Sequence, residues 1–439
     1  MRDALKRLYA LGPGRMELGR DRLRRLLGKA GDPHLAVPSV LVGGTNGKGR
    51  VVAALSAVLS TKHRTGAFLK PHLKTIRERW RINDEAVDTE MFAHAAHRTC
   101  DLIDAHDEPI TFFEANVLLG SLLFRDSGCD VAVWEVGLGG KEDACNLTDP
   151  LVSILTNVGY DHQAILGDTL PQIAADKALI CREGRPLILG PPRPGWEQAY
   201  AEYLPVVEAI CGREGARLVR LNPQPPELWQ QCIKRGAAHM PPDALELSVT
   251  ALWELARASD ERLSVGWEDV NDSLARMHYR GRMERTELNG KPVLLDAAHN
   301  VDSLRWLTEV LLTIDPHRRY TVIFGCQQSR DPVDMLAILK PVIGVLVPVE
   351  IPVLRPCPLG RVMEAARQLR IPVELPEGIT PNAEPAVYTI GGVTELDPPD
   401  NSTHWIECVQ HGLDLVVDQP AIVCGSIYYM GEILRAFEE

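Results

Sequence analysis

At 439 residues the chain exceeds an ordinary domain of about 100–200 residues, so two or three domains are expected. Its 45% hydrophobic and 24% charged residues exclude disorder, collagen-like repeats and a coiled coil. With 47 basic against 59 acidic side chains the formal charge is −12, which argues against non-specific binding to nucleic acid or to an anionic membrane.

The N-terminal stretch MRDALKRLYALGPGRMELGRDRLRRLLG mixes charges among its leucines and does not read as a secretory signal. No apolar run approaches the ~20 residues needed to cross a bilayer. The ten cysteines are scattered without a CxxC pair, which removes zinc ribbons and thioredoxin-type motifs and points to reduced thiols. A soluble, cytoplasmic, multi-domain protein is expected.

Four short apolar runs come first: SVLVGG (39–44), DVAVWEV (130–136), LVSILTN (151–157) and PLILG (186–190). Each precedes a glycine-containing turn or a helix-like stretch, the pattern of strands buried on both faces of a parallel sheet. Prolines cluster over 191–245, which reads as loops with small strands closing the first domain. A second alternating series follows in KPVLLDAAHN (291–300), RYTVIFGC (319–326), VIGVLVPV (342–349) and PAIVCGSIYYMGEILRAF (420–437). The linker is placed near HYRGRME (278–284), giving domains 1–278 and 279–439. The fold class is therefore α/β, with two parallel-sheet domains whose ligands should sit beyond the carboxyl ends of the strands.

The sharpest local feature is Gly43-Gly44-Thr45-Asn46-Gly47-Lys48-Gly49, between a strand and the helical run VVAALSAVLS. Glycines let backbone N–H groups turn inward around phosphate oxygens, the helix N-terminus adds partial positive charge, and a lysine reaches the terminal phosphates. The pattern GxxxxGK[ST] is not met, because Val42 takes the first glycine position and Gly49 follows the lysine. Taken alone, a purely structural strand–helix turn competes with this reading.

GTNGKG also resembles the loop of the Mur ligase superfamily, in particular its dihydrofolate synthase/folylpolyglutamate synthase branch. The resemblance runs in order through LYALGPGRMELGRDRLRRLLG, KPHLKTIRERWRIN (70–83), TFFEANVLLGSLLF (111–124) and EVGLGGKEDACNLTDP (135–150). It continues through NVGYDHQAILGDTLPQIAADKALICREGRP (157–186), GRME (281–284), LLDAAHN (294–300), VIFGC (322–326) and VCGSIYYMGEILR (423–435). It is poor mainly at 191–245 and 345–415. It implies a P-loop-type parallel-sheet ATP-binding domain, then a smaller C-terminal Rossmann-like domain.

The resemblance also implies a reaction. ATP phosphorylates a carboxylate to an acyl phosphate, which the amino group of L-glutamate converts to an amide. ATP and Mg²⁺ are the implied cofactors, and a pteroate- or folate-like acid with L-glutamate the implied substrates. A monomer with no nucleic-acid or membrane partner is expected. Gly44, Thr45, Asn46, Gly47, Lys48 and Gly49 match the nucleotide loop, and Glu135 and His162 the magnesium ligands. Lys177 matches a lysine that the family commonly carries as a carbamate, which requires a neutral amine. Arg282, Asp296 and His299 match residues that approach the nucleotide from the second domain, Lys48, Lys177, Asp296 and His299 being the catalytic candidates. Phe112, Phe113 and Glu114 match a segment bordering the pterin; core packing is the competing reading of the two phenylalanines.

Three positions depart from the family pattern. Arg50 replaces a hydroxyl residue after the loop, Lys70 replaces a serine that contributes to the metal site, and Asp243 stands where an asparagine sits by the adenine. A unit charge pair at ~4 Å and an effective dielectric near 20 is worth about 4 kcal/mol. Arg50 and Lys70 therefore either repel a Mg²⁺ ion or neutralise phosphate charge in its place. Two alternatives to folate-type ligation follow: a paralogue joining another amino acid to a non-folate carboxylate, and a non-catalytic nucleotide-binding relative.

Overall fold

A computed structural model of the chain describes residues 2–12, 19–192, 195–221, 241–277, 279–352, 355–379, 403–416 and 420–437. The chain divides into two units. One comprises Met1–Lys70 and Arg77–Met277, the other Pro71–Ile76 and His278–Glu439.

The first unit is built on strands β1 (Ser39–Gly43), β2 (Thr65–Phe68), β3 (Trp80–Ile82), β4 (Glu85–Ala86), β5 (Val131–Glu135), β6 (Pro150–Leu155), β7 (Pro186–Leu189) and β8 (Arg217–Arg220). Their order across the sheet is β4-β3-β2-β5-β1-β6-β7-β8. β1 pairs in parallel with both β5 and β6. The loops after these three strands therefore leave the same edge of the sheet, although they are far apart in sequence. Every residue of β1 and β5 is buried, which explains their unbroken apolar character. β3 and β4 turn back as an antiparallel hairpin through Asn83 and Asp84, both with left-handed φ (52° and 63°), as a tight two-residue turn requires.

The helix Lys48–Leu59 packs against the sheet strands β1, β2 and β5 and against helices Pro242–Ala258 and Trp267–Arg276. It buries Val51, Val52, Ala53, Ala54, Leu55, Val58 and Leu59. Covered on several sides, it has no polar stripe, hence the almost continuous run VVAALSAVL.

The reading of 191–245 as loops with small strands is corrected over its described part. Glu197–Glu214 is a helix, and Arg217–Arg220 adds β8 in parallel to β7. Tyr203, Val207, Ile210 and Cys211 form one buried face at helical spacing, while Pro205 lies on the exposed side. A proline there forfeits one hydrogen bond without lodging in the core, and burial of the opposite face outweighs it.

The second unit holds β9 (Arg282–Leu288), β10 (Lys291–Asp296), β11 (Tyr320–Phe324), β12 (Ile343–Pro348) and β13 (Ala421–Cys424), ordered β12-β11-β13-β10-β9. All pairs are parallel except β9 with β10. Leu294, Val322, Phe324 and Ile422 pack with Leu304, Leu307, Leu311, Met335 and Leu336. Val293, Leu295, Ile323 and Val423 pack with Trp405, Val409, Tyr429 and Ile433. Alternate residues thus feed two cores, one on each face, as a doubly covered sheet demands. The expected class, a large parallel-sheet domain with a smaller Rossmann-like one, is what the chain adopts. Among the described residues, no helix is long and apolar enough to cross a membrane.

Candidate functional site

The loop after β1 is held open by glycine geometry. Gly44 has φ 130° and a Cβ there would collide with the Thr156 side chain, while Gly47 has φ 86° at the start of the helix Lys48–Leu59. The segment after β6 clamps this loop from the side. The Thr45 N–H donates to Asn157 O (3.1 Å) and the Asn46 N–H to Asn157 Oδ1 (3.0 Å). Asn157 Nδ2 and Thr156 Oγ1 both donate to Asn46 O (2.8 and 2.7 Å), and the Gly159 N–H donates to Thr45 Oγ1 (3.0 Å). Thr156, Asn157 and Gly159 were not singled out from the sequence. The signal was the polar run directly after a strand that neighbours β1, legible only once that adjacency is known.

Two lysines converge on the loop. Lys48 Nζ donates to Gly44 O (2.9 Å) and Thr45 O (3.0 Å), and Lys177 Nζ donates to Gly44 O (3.2 Å). Burial, together with repulsion from Lys70 and Lys177, lowers the Lys48 amine to about 7. Burial lowers Lys177 to about 8, against the opposing pull of Asp161 and Asp176. Lys177 is 4% exposed. A neutral amine is thus accessible at Lys177 near neutral pH.

Glu135 ends β5, beside β1, and is buried. Its Oε2 accepts the Lys70 N–H (3.0 Å), and its Oε1 stands 3.9 Å from Lys70 Nζ. His162 adopts φ 52° ahead of the short helix Gln163–Leu166, with Nε2 3.7 Å from Asp161 Oδ2. Burial depresses its imidazole, and the charges of Lys177, Lys70 and Lys48 add to that, so the neutral, ligand-competent form is favoured. Asp143 caps the turn after β5, accepting the N–H groups of Leu138 (2.8 Å) and Cys145 (2.9 Å), and burial raises its carboxyl. Asp176 accepts the Gly140 N–H (2.8 Å), so the Lys177 helix is tied to the same turn.

The remaining candidates fall elsewhere. Phe112 stacks on Tyr9 (5.5 Å between centroids) with Arg79 over its ring, and Glu114 closes a capping box with Thr111 and pairs with Arg22. Phe113 faces Phe68 at 6.0 Å. These contacts make the segment part of the packing of the first unit. Arg50 is buried in the helix Lys48–Leu59. Asp243 sits at the start of the helix Pro242–Ala258 and accepts the Ala244 N–H (2.9 Å); residues 222–240 before it lie outside the described residues. On the second unit Asp296 accepts the N–H groups of Met283 (2.8 Å) and Ala298 (2.9 Å), pinning β9 to the turn after β10. His299 Nδ1 is 2.9 Å from Ala297 O, and Arg282 opens β9 opposite Asp296.

No family model matches the chain. It is 30% identical over 367 residues to a probable bifunctional folylpolyglutamate synthase/dihydropteroate synthase of Haloferax volcanii, covering 78% of this chain and 42% of that protein. It therefore spans less than half the length of that relative. To the dihydrofolate synthase/folylpolyglutamate synthase of Bacillus subtilis it is 26% identical over 352 residues, covering 73% and 78% of the two chains. The chain is thus similar to dihydrofolate synthase/folylpolyglutamate synthases along most of its length. The fold agrees: the Yersinia pestis bifunctional folylpolyglutamate synthase/dihydrofolate synthase complexed with AMPPNP and a Mn ion superimposes with TM-score 0.75 at 21% identity, over 99% of this chain and 97% of that one.

The loop, Lys48, Lys177, Lys70 and Glu135 together line the carboxyl edge of the sheet, three cations around one carboxylate. Among the described residues no group of three or more His, Cys, Asp or Glu side chains could hold a metal ion. Magnesium dehydrates reluctantly and binds through one or two protein ligands plus substrate phosphates rather than in a protein cage. A carboxylate oxygen of Glu135 and the half-exposed imidazole of His162 fit that restricted donor set.

Proposed function

We propose that the chain is an ATP-dependent carboxylate–amine ligase that joins L-glutamate to a pteroate- or folate-like acid. The observation that carries the reading is the glycine loop after β1, clamped by Asn157 and faced by Lys48 and Lys177. Phosphoryl transfer asks little covalent help of a protein; it needs the phosphates positioned and their charge countered. Backbone N–H groups of the loop and the N-terminus of the helix Lys48–Leu59 offer the first, and the lysines the second. Lys48 and Lys177 now donate to loop carbonyls, and an incoming phosphate would exchange those neutral acceptors for anionic ones, which are stronger partners.

In the first step a carboxylate oxygen of the acid attacks the γ-phosphorus and ADP leaves, giving an acyl phosphate. The glutamate nitrogen then attacks the acyl carbon, the C–O bond to phosphate breaks, and the nitrogen loses its proton. Glu135 and His162 would hold magnesium, which when bound neutralises phosphate charge. Lys177 is the general positioning cation of the site, or a carbamate if its neutral amine takes up carbon dioxide. Arg282, Asp296 and His299 are assigned to the nucleotide by their match to the family. A monomeric, cytoplasmic enzyme without nucleic-acid or membrane partners is part of the same reading.

The test is release of ADP and phosphate measured with each substrate omitted in turn. Turnover that requires ATP, a pteroate-like acid and L-glutamate together is the expected result. Background release with every pteroate or folate acceptor removes the assignment.

A further inference from the structure

Lys70 stands at a place that the loop chemistry does not require. β2 pairs in parallel with β5, Phe68 opposite Trp134, and this register brings the chain just beyond β2 alongside Glu135. The consequence is a double contact. The Lys70 backbone N–H donates to Glu135 Oε2 at 3.0 Å, and the ammonium lies 3.9 Å from Oε1, with the two side chains 22% and 5% exposed. The carboxylate thus meets an internal cation on one oxygen while the backbone fixes the other. Lys70 also acts electrostatically on Lys48 and Lys177, so its charge is felt across the loop. No cage of three protein ligands exists among the described residues to gather a metal before the nucleotide arrives.

We propose that Lys70 is a built-in countercharge, a positioning residue whose ammonium beside Glu135 neutralises nucleotide phosphate where a divalent ion would otherwise be needed. The chain should then hold the phosphates of ADP in the absence of metal far better than a site that lacks this cation. The inference rests on the nucleotide-binding reading above and goes beyond it in naming what sets the metal dependence.

The experiment is calorimetric titration of the full chain with ADP, in excess Mg²⁺ and again in EDTA, for wild type, Lys70→Met and Lys70→Arg. Methionine keeps the unbranched stem and removes the charge; arginine keeps the charge. Wild type is expected to weaken by no more than about tenfold on removing metal, Lys70→Met by about a hundredfold or more, and Lys70→Arg to stay near wild type. Equal losses for Lys70→Met with and without Mg²⁺ mark a merely structural role and overturn the proposal, as does wild-type binding that vanishes in EDTA. Wild type that binds no ADP under either condition removes the nucleotide-binding reading itself, and this inference with it. Thermal melts of the three proteins identify a variant that has lost its fold; in that case the wild-type ratio and Lys70→Arg decide.

Discussion

Replacing Lys177 with methionine should stabilise the ligand-free protein while abolishing ligation. The side chain is 4% exposed and its Nζ donates to Gly44 O at 3.2 Å. Burial lowers the amine from 10.5 to about 8, and at about 1.4 kcal/mol for each pKa unit this places roughly 3 kcal/mol against the charged form. Removing the hydrogen bond gives back about 1 kcal/mol, so the variant should gain roughly 2 kcal/mol near pH 7. The sign follows from proton counting. Between pH 8 and 10.5 the unfolded chain binds a proton at this lysine that the folded chain does not, so wild-type stability rises with pH across that window. The penalty is present in full below the folded value and gone above the unfolded one. Denaturant titrations in carbon-dioxide-free buffer, at about pH 7 and about pH 10, should show the advantage of Lys177→Met shrinking toward zero at the higher pH. A variant less stable than wild type at the lower pH, with no convergence at the higher, refutes the argument that a desolvated ammonium sits there.

Other expectations bear on the loop. Lys48→Ala should lower kcat/KM by about 10²–10³-fold with little change in Tm, because it removes a donor aimed at developing charge rather than a packing group; steady-state kinetics with a melting curve check it. Asn157→Ala strips the two side-chain bonds to Asn46 (3.0 and 2.8 Å) and should raise KM for ATP more than it lowers kcat, at a cost of about 1–3 kcal/mol in stability. Gly44→Ala meets both a left-handed φ of 130° and the Thr156 side chain, so ADP binding should be lost and Tm should fall, as calorimetry and melting would report.

Legibility of these features in the sequence followed how local their physics is. The strand, glycine turn, lysine and helix of residues 39–59 are contiguous, and each needs only its neighbours to be recognised. Glu135 ends an apolar run and could be placed at a strand end without knowing which strand lies beside it. The clamp of Thr156, Asn157 and Gly159 is different in kind, because it exists only where β6 flanks β1, a pairing that skips over β2 to β5 in chain order. The contact of Lys70 with Glu135 likewise depends on the register of β2 against β5. A proline at 205 concealed a helix whose buried face, spaced as Tyr203, Val207 and Ile210, is clear once the exposed side is set apart. Asp296 shows a further limit. The sequence offers this carboxylate to the nucleotide by resemblance, yet both its oxygens accept backbone N–H groups, and no residue type records such a partner. The residues proposed for the chemistry are therefore the readable part of this site, and the residues that position them are written in strand pairing. A site rebuilt from motifs alone would keep Lys48 and Glu135 and lose the contact between Lys70 and Glu135.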